Sequence, residues 1–396
     1  MKGVTFTMKH WLKRTWAEID LDRLQTNLRH IKSAASNSLV MAVVKADAYG
    51  HGAVQAARAL CEAGADWLAV SNLDEAIQLR TAGLTAPMLI LSYTPPEEVA
   101  LLAEHRITQT VVSASHAKAL SDAAVQAGVT LDIHIKLDTG MSRVGFFAAD
   151  GSLPVGEIAD ACALPALNPN GIFTHFAVAD EQDGDAFTRE QFARFNDTVA
   201  ALAARGITFA LKHCCNSAAT LRYPEMHLDM VRPGLILYGL YPDTWMSDML
   251  TLEPVMSLRT HVSHVKTVPA DITVSYGRQY VTDADETIAT VPIGYADGYT
   301  RRAQGKAYML VNGAQAPVRG RICMDQCMLD VSGIDNVQAG TLVTAFGREQ
   351  HATLPVETYA AWSDTINYEV VCAVGKRVPR LFLKKGEPVF LQDGLR

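Results

Sequence analysis

Short apolar runs rich in β-branched residues alternate with segments of helical periodicity up to about Leu252. The runs begin at Leu39, Trp67, Met88, Gln109, Leu131, Gly171, Phe209 and Met230. Between two of them, Phe192, Phe195, Val199 and Leu202 share one helical face ahead of Gly206, which predicts a helix that ends there. Eight alternating strand and helix units favour an α/β fold of the (β/α)8 barrel type, and a doubly wound open sheet is the alternative.

The two ends of the chain have a different pattern. Thr15 to Leu21 is strand-like, and Asp22 with Gln25 resembles the capping box at the start of a helix. After Leu252, apolar and polar residues alternate in runs that begin at Val255, Ile288, Pro317 and Thr341, which indicates a second, mainly β domain. The predicted organisation is an N-terminal extension over residues 1–14 that packs with the β domain, a barrel over 15–251 and a β domain over 252–396.

Composition narrows the class of protein. The chain is 49% hydrophobic and 19% charged, and its 35 basic and 42 acidic residues give a net charge of −7. This argues against a disordered chain and against a basic surface for nucleic acid or anionic lipid. No apolar run approaches the ~20 residues of a membrane span, and no signal peptide is evident. The seven cysteines are an odd number, and a chain of this length does not need disulfides, which favours a reducing compartment. We therefore expect a cytoplasmic protein. Its translation is expected to start at Met1 or Met8.

Polar residues follow several of the predicted barrel strands. Barrel enzymes carry their chemistry at the carboxyl ends of the strands, so these residues are expected to converge on one mouth. They are Lys45, Lys136, Asp138, His175, Asn216, Ser217 and Arg232.

Three of these features together suggest a cofactor. A desolvated lysine such as Lys45 has a lowered pKa and can form an imine, although a lysine beside a turn more often reaches solvent. Asn216 and Ser217 open a helix-like stretch whose amides suit phosphate, with Gly234 and Leu235 as further donors, although an ordinary helix cap is the alternative. A lysine that can form an imine, a cradle for phosphate and the arginine Arg232 are all expected at the same mouth of the barrel. Together they favour pyridoxal 5'-phosphate as the cofactor.

Longer strings along nearly the whole chain resemble the alanine racemase family, which consists of pyridoxal-phosphate enzymes with a barrel and a β domain. The strings, in order, are TWAEIDL, VVKADAYGHG, KLDTGMSRVG, THFAVAD, NSAATL, DMVRPGLILYG, SYGRQY, GYADGY, RICMDQCMLDV and INYEVVCAVGKRVPR. The only departures from the family pattern are Cys214 and Cys215 before Asn216, and the residues before Met8.

The resemblance implies a two-base racemisation. Lys45 would bind the cofactor as an imine and act as acid and base on one face of the substrate Cα, and Tyr276 would act on the opposite face. His175 would be hydrogen-bonded to the tyrosine and to Arg232. Arg232 would face the pyridine nitrogen and, because arginine keeps its proton, would weaken the cofactor as an electron sink and disfavour transamination.

The resemblance also implies the remaining contacts. Arg143 would lie near the cofactor and the substrate carboxylate, held by Lys136, which is often carbamylated in the family. The other implied sites are Tyr49, Ser217 and Tyr368 at the phosphate, Met324 at the substrate carboxylate with Asp325 beside it, and Asp180, Tyr295 and Arg301 along an access corridor. Tyr276 and Met324 would serve the other subunit, which implies a homodimer with composite sites making D-alanine for peptidoglycan.

Other readings remain open at this point. Serine adds only a hydroxyl to alanine, so a serine or dual-specificity racemase is the main alternative. A basic amino-acid decarboxylase would carry an acidic residue where Arg232 stands, and a cofactor-binding protein would not need the β domain. A cofactor-free lysine aldolase is the remaining outsider. His213-Cys214-Cys215 lacks the spacing of a zinc site, and Cys323 and Cys327 are read as thiols, so no metal is expected.

Overall fold

The computed structural model describes residues 14–35 and 37–395, and the chain divides into two compact units. One unit contains residues 23–49 and 53–253, and the other contains the described residues among 1–22, 50–52 and 254–396. The predicted packing of residues 1–13 and the choice between Met1 and Met8 lie outside the described residues.

The elements alternate strand and helix first, and then become mainly strands. The strands are β1 (Thr15–Asp20), β2 (Leu39–Val43), β3 (Trp67–Val70), β4 (Met88–Ile90), β5 (Thr108–Val111), β6 (Leu131–Asp138), β7 (Phe146–Phe147), β8 (Leu167–Phe173), β9 (Leu211–His213), β10 (Met230–Val231), β11 (Met256–His261), β12 (His264–Val268), β13 (Thr273–Val274), β14 (Tyr280–Val281), β15 (Glu286–Val291), β16 (Tyr308–Val311), β17 (Ala314–Arg319), β18 (Cys327–Asp330), β19 (Leu342–Glu349), β20 (Ala352–Leu354), β21 (Arg380–Lys384) and β22 (Glu387–Gln392). The helices are α1 (Leu21–Ala34), α2 (Lys45–Tyr49), α3 (Ala53–Glu62), α4 (Leu73–Thr81), α5 (Val99–Glu104), α6 (Ala114–Ala127), α7 (Val155–Cys162), α8 (Asp185–Ala203), α9 (Ser217–Arg222), α10 (Val356–Trp362) and α11 (Asn367–Cys372).

The first unit is a barrel of eight parallel strands. Their order is β10, β2, β3, β4, β5, β6, β8 and β9, with the short β7 beside β6. The Asp229 amide donates to the Lys212 carbonyl at 3.1 Å, and the Arg232 amide donates to the Cys215 carbonyl at 2.9 Å. These bonds join the ends of the row and nearly close the barrel. The predicted (β/α)8 fold is therefore confirmed. The alternative, a doubly wound open sheet, is wrong, because such a sheet has a point where the order of its strands reverses, whereas here each strand of the row from β2 to β9 pairs with the next one along the chain.

The second unit is built on a mainly antiparallel sheet. Its strand order is β12, β15, β18, β17, β16, β19, β11, β1, β21 and β22, with β20 beside β19. A separate hairpin is formed by β13 and β14. The predicted β-rich C-terminal part is therefore confirmed. Among the described residues, no helix combines the length and the hydropathy that crossing a membrane requires.

One segment belongs to a different unit from the one predicted. The sequence placed Thr15 to Leu21 in the barrel domain, but β1 pairs antiparallel with β11 and parallel with β21 in the sheet of the second unit. Ala17 and Ile19 are fully buried there. A strand pattern shows that one or both faces are buried, but it does not identify the neighbouring strand, so the assignment to the barrel was wrong.

Candidate active site

The short segment α2, which begins at Lys45, is a left-handed turn and not a right-handed α-helix. Ala46, Asp47, Ala48 and Tyr49 have φ angles of 53, 52, 54 and 53°, a region that costs residues with a Cβ about 1–2 kcal/mol each. Hydrogen bonds from side chains hold the turn. Glu75 accepts from the Ala46 amide at 2.7 Å, and Asp47 accepts from the Ala53 amide at 2.7 Å. Lys45 itself is half-buried directly after β2.

Tyr49, Ser217 and Gly234 form a cradle of small polar groups. The Gly234 amide donates to the Ser217 hydroxyl at 2.9 Å. A Cβ added at Gly234 would lie only 2.4 Å from the Tyr49 hydroxyl, so only glycine leaves that hydroxyl room beside the backbone. Two hydroxyls and an amide facing one another suit a phosphate group, and the residues present therefore fit the phosphate of pyridoxal 5'-phosphate. Leu235 follows Gly234 and is fully buried.

Asn216 is the N-cap of α9. Its Oδ1 accepts from the Ala219 amide at 3.0 Å, and its Nδ2 donates to the Phe176 carbonyl at 3.4 Å. Both polar ends of this side chain therefore support the local backbone. A direct contact of Asn216 with the cofactor stays a prediction.

Arg232 is a buried cation with acceptors on several sides. Its guanidinium donates to His213 Nδ1 at 2.9 Å, to the Thr174 carbonyl at 2.7 Å and to the Cys214 carbonyl at 3.0 Å. Burial lowers the pKa of Arg232 to about 10, so the side chain stays charged at neutral pH. The acceptors at the strand ends therefore hold the guanidinium of Arg232 in position, and they satisfy its donors while it is charged.

His175 is neutral and its proton position follows from its neighbour. Burial, reinforced by four nearby cations, lowers its pKa well below the usual value; the cations are Arg232, Lys136, Arg143 and Lys45. Arg232 Nη2 lies 3.4 Å from His175 Nδ1. Since arginine only donates, Nδ1 is the acceptor and Nε2 carries the proton. The structure thus brings His175 into contact with Arg232, while Lys45, Lys136 and Arg143 are close enough for their charges to lower the pKa of His175.

Lys136 has an unusual environment for an amine. It is only 4% exposed, and its Nζ donates to the Leu137 carbonyl at 2.9 Å. Burial, followed by the charge of Arg232, lowers its pKa to about 7. The carboxylate of Asp138 accepts from the amides of Gly140 and Ser142 at 3.1 and 2.9 Å, which shapes the loop that leads to Arg143. The Arg143 side chain itself is exposed.

In the second unit, Tyr276 stands at the tip of the hairpin of β13 and β14. Its side chain is 70% exposed. The preceding Ser275 has a φ of 69° and donates from its hydroxyl to the Arg321 carbonyl at 2.7 Å. A Cβ at Gly277 would lie 3.0 Å from the Arg321 guanidinium carbon. An open groove of about 400 Å³ lies beside Tyr276, lined also by Ser275 and Cys323.

The other predicted residues of this unit lie on exposed turns. Met324 is 52% and Tyr295 41% exposed, and Arg301 is exposed as well. The Asp325 carboxylate accepts from Arg377 at 2.7 Å, a contact that holds the pKa of this carboxyl below its usual range. Tyr368 is half-buried on α11, and Asp180 belongs to the barrel unit, where it is half-buried.

Several supporting residues were not predicted as part of the site. Thr174 and His213 fix Arg232, and Asp297 and Arg377 contact the turns around Met324. His213 appeared in the sequence only as a doubtful metal ligand, and its ring nitrogens instead bond to Arg232 and, at 2.9 Å, to His134. In the part of the chain that the structure describes, no group of three or more potential metal ligands occurs.

These features define a class of protein. A parallel barrel carries a lysine after one strand, a cradle for phosphate and a buried arginine at the ends of others, and it is joined in sequence to a β unit that exposes a tyrosine. That combination is the architecture of pyridoxal-phosphate enzymes that act on amino acids.

Comparison with known proteins narrows the class. Residues 19–242 match the family model for the N-terminal domain of alanine racemase, and residues 255–382 match the model for its C-terminal domain. The alanine racemase of Desulfovibrio desulfuricans is 48% identical over 370 residues, which cover 93% of this chain and 98% of that protein. The alanine racemase of Methanococcus maripaludis is 45% identical over 370 residues, with the same coverage of 93% and 98%.

Solved structures agree with the sequence comparison. An alanine racemase from Clostridium difficile superposes with a TM-score of 0.92 at 40% identity, covering 97% of this chain and 99% of that one. The alanine racemase from Bacillus anthracis with bound L-Ala-P superposes with a TM-score of 0.91 at 38% identity, again covering 97% and 99%. The chain belongs to the alanine racemase family, so the resemblance is confirmed. The predicted class of enzyme, an amino-acid racemase, and the predicted cofactor, pyridoxal 5'-phosphate, are confirmed with it.

Proposed function

We propose that this protein interconverts L-alanine and D-alanine at a site built from Lys45 and Tyr276. The observation that carries the proposal is the buried cluster around Arg232 and His175, set at the ends of strands in a chain whose named relatives are alanine racemases. The comparisons do not favour the serine alternative. Membership of the alanine racemase family also argues against the other three hypotheses, which are a decarboxylase, a cofactor-binding protein without catalysis and a cofactor-free aldolase.

Bound pyridoxal phosphate would draw electron density from the substrate Cα and make its proton acidic. Lys45 is the residue that would hold the cofactor covalently, and its Nζ would also take or return a proton on one face of Cα. Tyr276 Oη does the same on the opposite face. One proton leaves Cα and one arrives from the other side, so the configuration inverts without net gain or loss of protons.

His175 gives Tyr276 the help that a phenol needs. The unperturbed pKa of tyrosine is near 10, so a phenolate base at neutral pH requires a hydrogen-bond donor. Because Nδ1 of His175 accepts from Arg232, its Nε2–H is the group that donates, and we assign it to Tyr276 Oη. Arg232 would hold the pyridine nitrogen of the cofactor, to which it could donate a hydrogen bond but not yield its proton.

We infer the remaining contacts from membership of the family. The residues that would hold the phosphate are Tyr49, Ser217, Gly234 and Leu235, with Asn216 and Tyr368. Arg143 and the backbone of Met324 bind the substrate carboxylate, with Asp325 in support. Asp180, Tyr295 and Arg301 line the access corridor.

Lys136 is proposed to react with carbon dioxide. A carbamate forms only from a neutral amine, and a pKa of about 7 makes a large share of this amine neutral near pH 7. The amine nitrogen forms a bond to the carbon of carbon dioxide and releases one proton to solvent, which leaves a carbamate anion. Such an anion pairs with Arg143 better than a cation does.

The active unit is proposed to be a homodimer in which Tyr276 and Met324 of one chain complete the site of the other. The support is the exposure of both residues in a single chain, 70% and 52%, together with Ile272 and Val281 near Tyr276, which are 41% and 45% exposed. Apolar surface of this kind marks an interface. A base that stands in open water would also lose the dry surroundings that favour proton transfer.

Mixing two inactive variants tests the composite site. Lys45→Ala and Tyr276→Phe are each expected to be nearly inactive alone. Random pairing of equal amounts gives one half mixed dimers, each with one intact site of two if the sites are composite, so about a quarter of the wild-type activity returns. If each site lies within one chain, mixing restores nothing, and that result overturns the composite dimer.

The reaction itself is tested by chiral chromatography. L-alanine, L-serine and L-lysine are incubated separately with the purified holoenzyme. D-alanine is expected to form fastest, whereas faster formation of D-serine would overturn the assignment of alanine as the main substrate.

We propose that the enzyme makes D-alanine in the cytoplasm and that this D-alanine is used to build peptidoglycan. Six of the seven cysteines form no disulfide among the described residues, which suits a reducing compartment; they are Cys61, Cys162, Cys214, Cys215, Cys323 and Cys327. Expression of the chain in a bacterium that lacks its own alanine racemases should allow growth without added D-alanine, and the Lys45→Ala variant should not.

A further inference from the structure

Two site-bearing segments of the second unit pack directly against each other. The Tyr295 amide donates to the Cys323 carbonyl and the Ala296 amide to the Met324 carbonyl, both at 3.1 Å. A Cβ added at Gly294 would lie 2.3 Å from the Cys323 oxygen and 2.5 Å from the Met324 oxygen. The backbone of the Tyr295 turn is therefore packed closely against the backbone at Cys323 and Met324 and is hydrogen-bonded to it.

A single arginine spans both segments. Arg377 Nε donates to Asp297 Oδ1 at 2.8 Å, and Arg377 Nη2 donates to Asp325 Oδ1 at 2.7 Å. Asp297 closes the Tyr295 turn, because its Oδ2 accepts from the Gly294 amide at 2.9 Å. Asp325 is the residue directly after Met324. Arg377 thus joins the turn that carries Tyr295 to the segment that carries Met324.

The two carboxylates differ in burial, which sets the direction of the support. The Asp297 side chain is 2% exposed and the Asp325 side chain 51% exposed. Arg14 adds longer contacts of 3.3 Å to Asp297 and 3.4 Å to Asp325. The buried carboxylate cannot remain unpaired without a large cost, so it anchors Arg377, and Arg377 then holds the exposed Asp325.

We propose that Arg377, anchored by Asp297, is a positioning residue that fixes the Met324 segment and so determines how tightly the substrate carboxylate is bound. The inference rests on the proposed contact of Met324 with that carboxylate. A planar guanidinium can donate to two carboxylates from different nitrogens, whereas a lysine ammonium is a point charge on a flexible stem. Charge alone is therefore not enough for this role.

The test compares three variants of the holoenzyme. Arg377→Gln removes the charge, Arg377→Lys keeps the charge but not the fork, and Arg259→Gln is the control. Arg259 joins β11 to β1 by a 2.9 Å ion pair with Glu18 in the same unit, and it contacts neither segment. The readouts are kcat and KM for alanine, the inhibition constant of propionate as a bare carboxylate, and amide hydrogen exchange by mass spectrometry.

For Arg377→Gln we expect KM and the propionate constant to rise together by about 10- to 100-fold, with a smaller change in kcat, because loss of a hydrogen bond to a charged group such as a carboxylate weakens binding by about that factor. Peptides that contain Tyr295 and Ala296 should exchange faster, while barrel peptides stay unchanged. Arg377→Lys should resemble Arg377→Gln, and Arg259→Gln should resemble the wild type in all three readouts.

Different failures have different signatures. Faster exchange without a rise in KM or in the propionate constant overturns the link to the carboxylate, and unchanged exchange overturns the positioning itself. Recovery of wild-type values by Arg377→Lys overturns the requirement for the fork. If the proposed function were wrong, the wild-type holoenzyme would fail to racemise alanine, whatever the exchange pattern of the variants.

Discussion

The two groups of site residues are held in place by different interactions. In the barrel, Arg232 is 3% exposed and bonds to backbone carbonyls and an imidazole at the ends of strands. In the second unit, the Arg377 side chain is 28% exposed and joins carboxylates that lie on turns. One arginine is fixed by the body of the fold and the other by an ion bridge near the surface.

The difference shows which part of a site is stable by itself. Hydrogen bonds to buried acceptors are strengthened by the low dielectric and are little screened by salt, whereas an ion pair with an exposed carboxylate, such as that of Arg377 with Asp325, contributes about 0–1 kcal/mol and is screened. The pair of Arg377 with the buried Asp297 belongs to the first kind. The barrel cluster can therefore be ordered within one chain. The segments of Tyr276 and Met324 gain by being covered, which fits the proposed homodimer.

The largest effect is expected for Lys45→Ala in the barrel. Loss of the amine removes both the covalent attachment and one base, so racemisation should fall by at least about 10⁴-fold, as for other residues that form a covalent bond. The absorbance of the lysine-bound cofactor should disappear. Lys118→Ala, in an exposed pair with Asp122 on α6, is the control. Retention of that absorbance in Lys45→Ala would refute its role.

Tyr276→Phe in the exposed group should have the next largest effect. It removes only a hydroxyl, so cofactor binding should persist while racemisation falls by about 10²–10⁴-fold, the range for loss of a general base. Abstraction from L-alanine should suffer most. The matched control is Tyr280→Phe, because Tyr280 lies in the same hairpin with its hydroxyl bonded to Glu286. Near-normal turnover in both directions would contradict the two-base assignment.

Arg232→Lys separates the two regions by stability. It should lower kcat by about 10²–10³-fold and also destabilise the fold, because each buried acceptor left without a donor costs about 1–3 kcal/mol. Arg319→Lys, in a partly exposed pair with Asp330, should cost less than about 1 kcal/mol. Chemical denaturation measures both. Equal stability losses would show that the contrast between buried and exposed arginines is wrong.

The smallest expected effect concerns Lys136 and carbon dioxide. Burial and the charge of Arg232 disfavour the charged form and lower the pKa of the Lys136 amine to about 7, so the neutral form that reacts with carbon dioxide is present near pH 7 and its share increases as the pH rises. Depleting bicarbonate at pH 8 should lower kcat a few-fold, and adding it back should restore kcat. Intact mass should show the added carbon dioxide. Lys136→Met should not respond, and a wild type indifferent to bicarbonate would exclude the carbamate.

Much of the barrel site was predictable because its residues follow strands. The apolar runs ending before Lys45, Lys136 and His175 were evident in the sequence, and parallel strands bring their carboxyl ends to one edge. The eight barrel strands and the β-rich remainder follow from periodicity in the same way. The family strings then connected Tyr276 and Met324 to the chemistry, which periodicity could not do for residues on turns.

Periodicity and the polarity of parallel strands are local properties, so the order of elements and the barrel residues at strand ends could be derived from the chain alone. The sheet to which β1 belongs, the acceptors around Arg232 and the Arg377 bridge could not. Arg377 lies 80 residues from Asp297 and 52 from Asp325, and β1 pairs with strands more than 200 residues away. Contacts at such separations depend on how the whole core packs, and only the folded chain determines them.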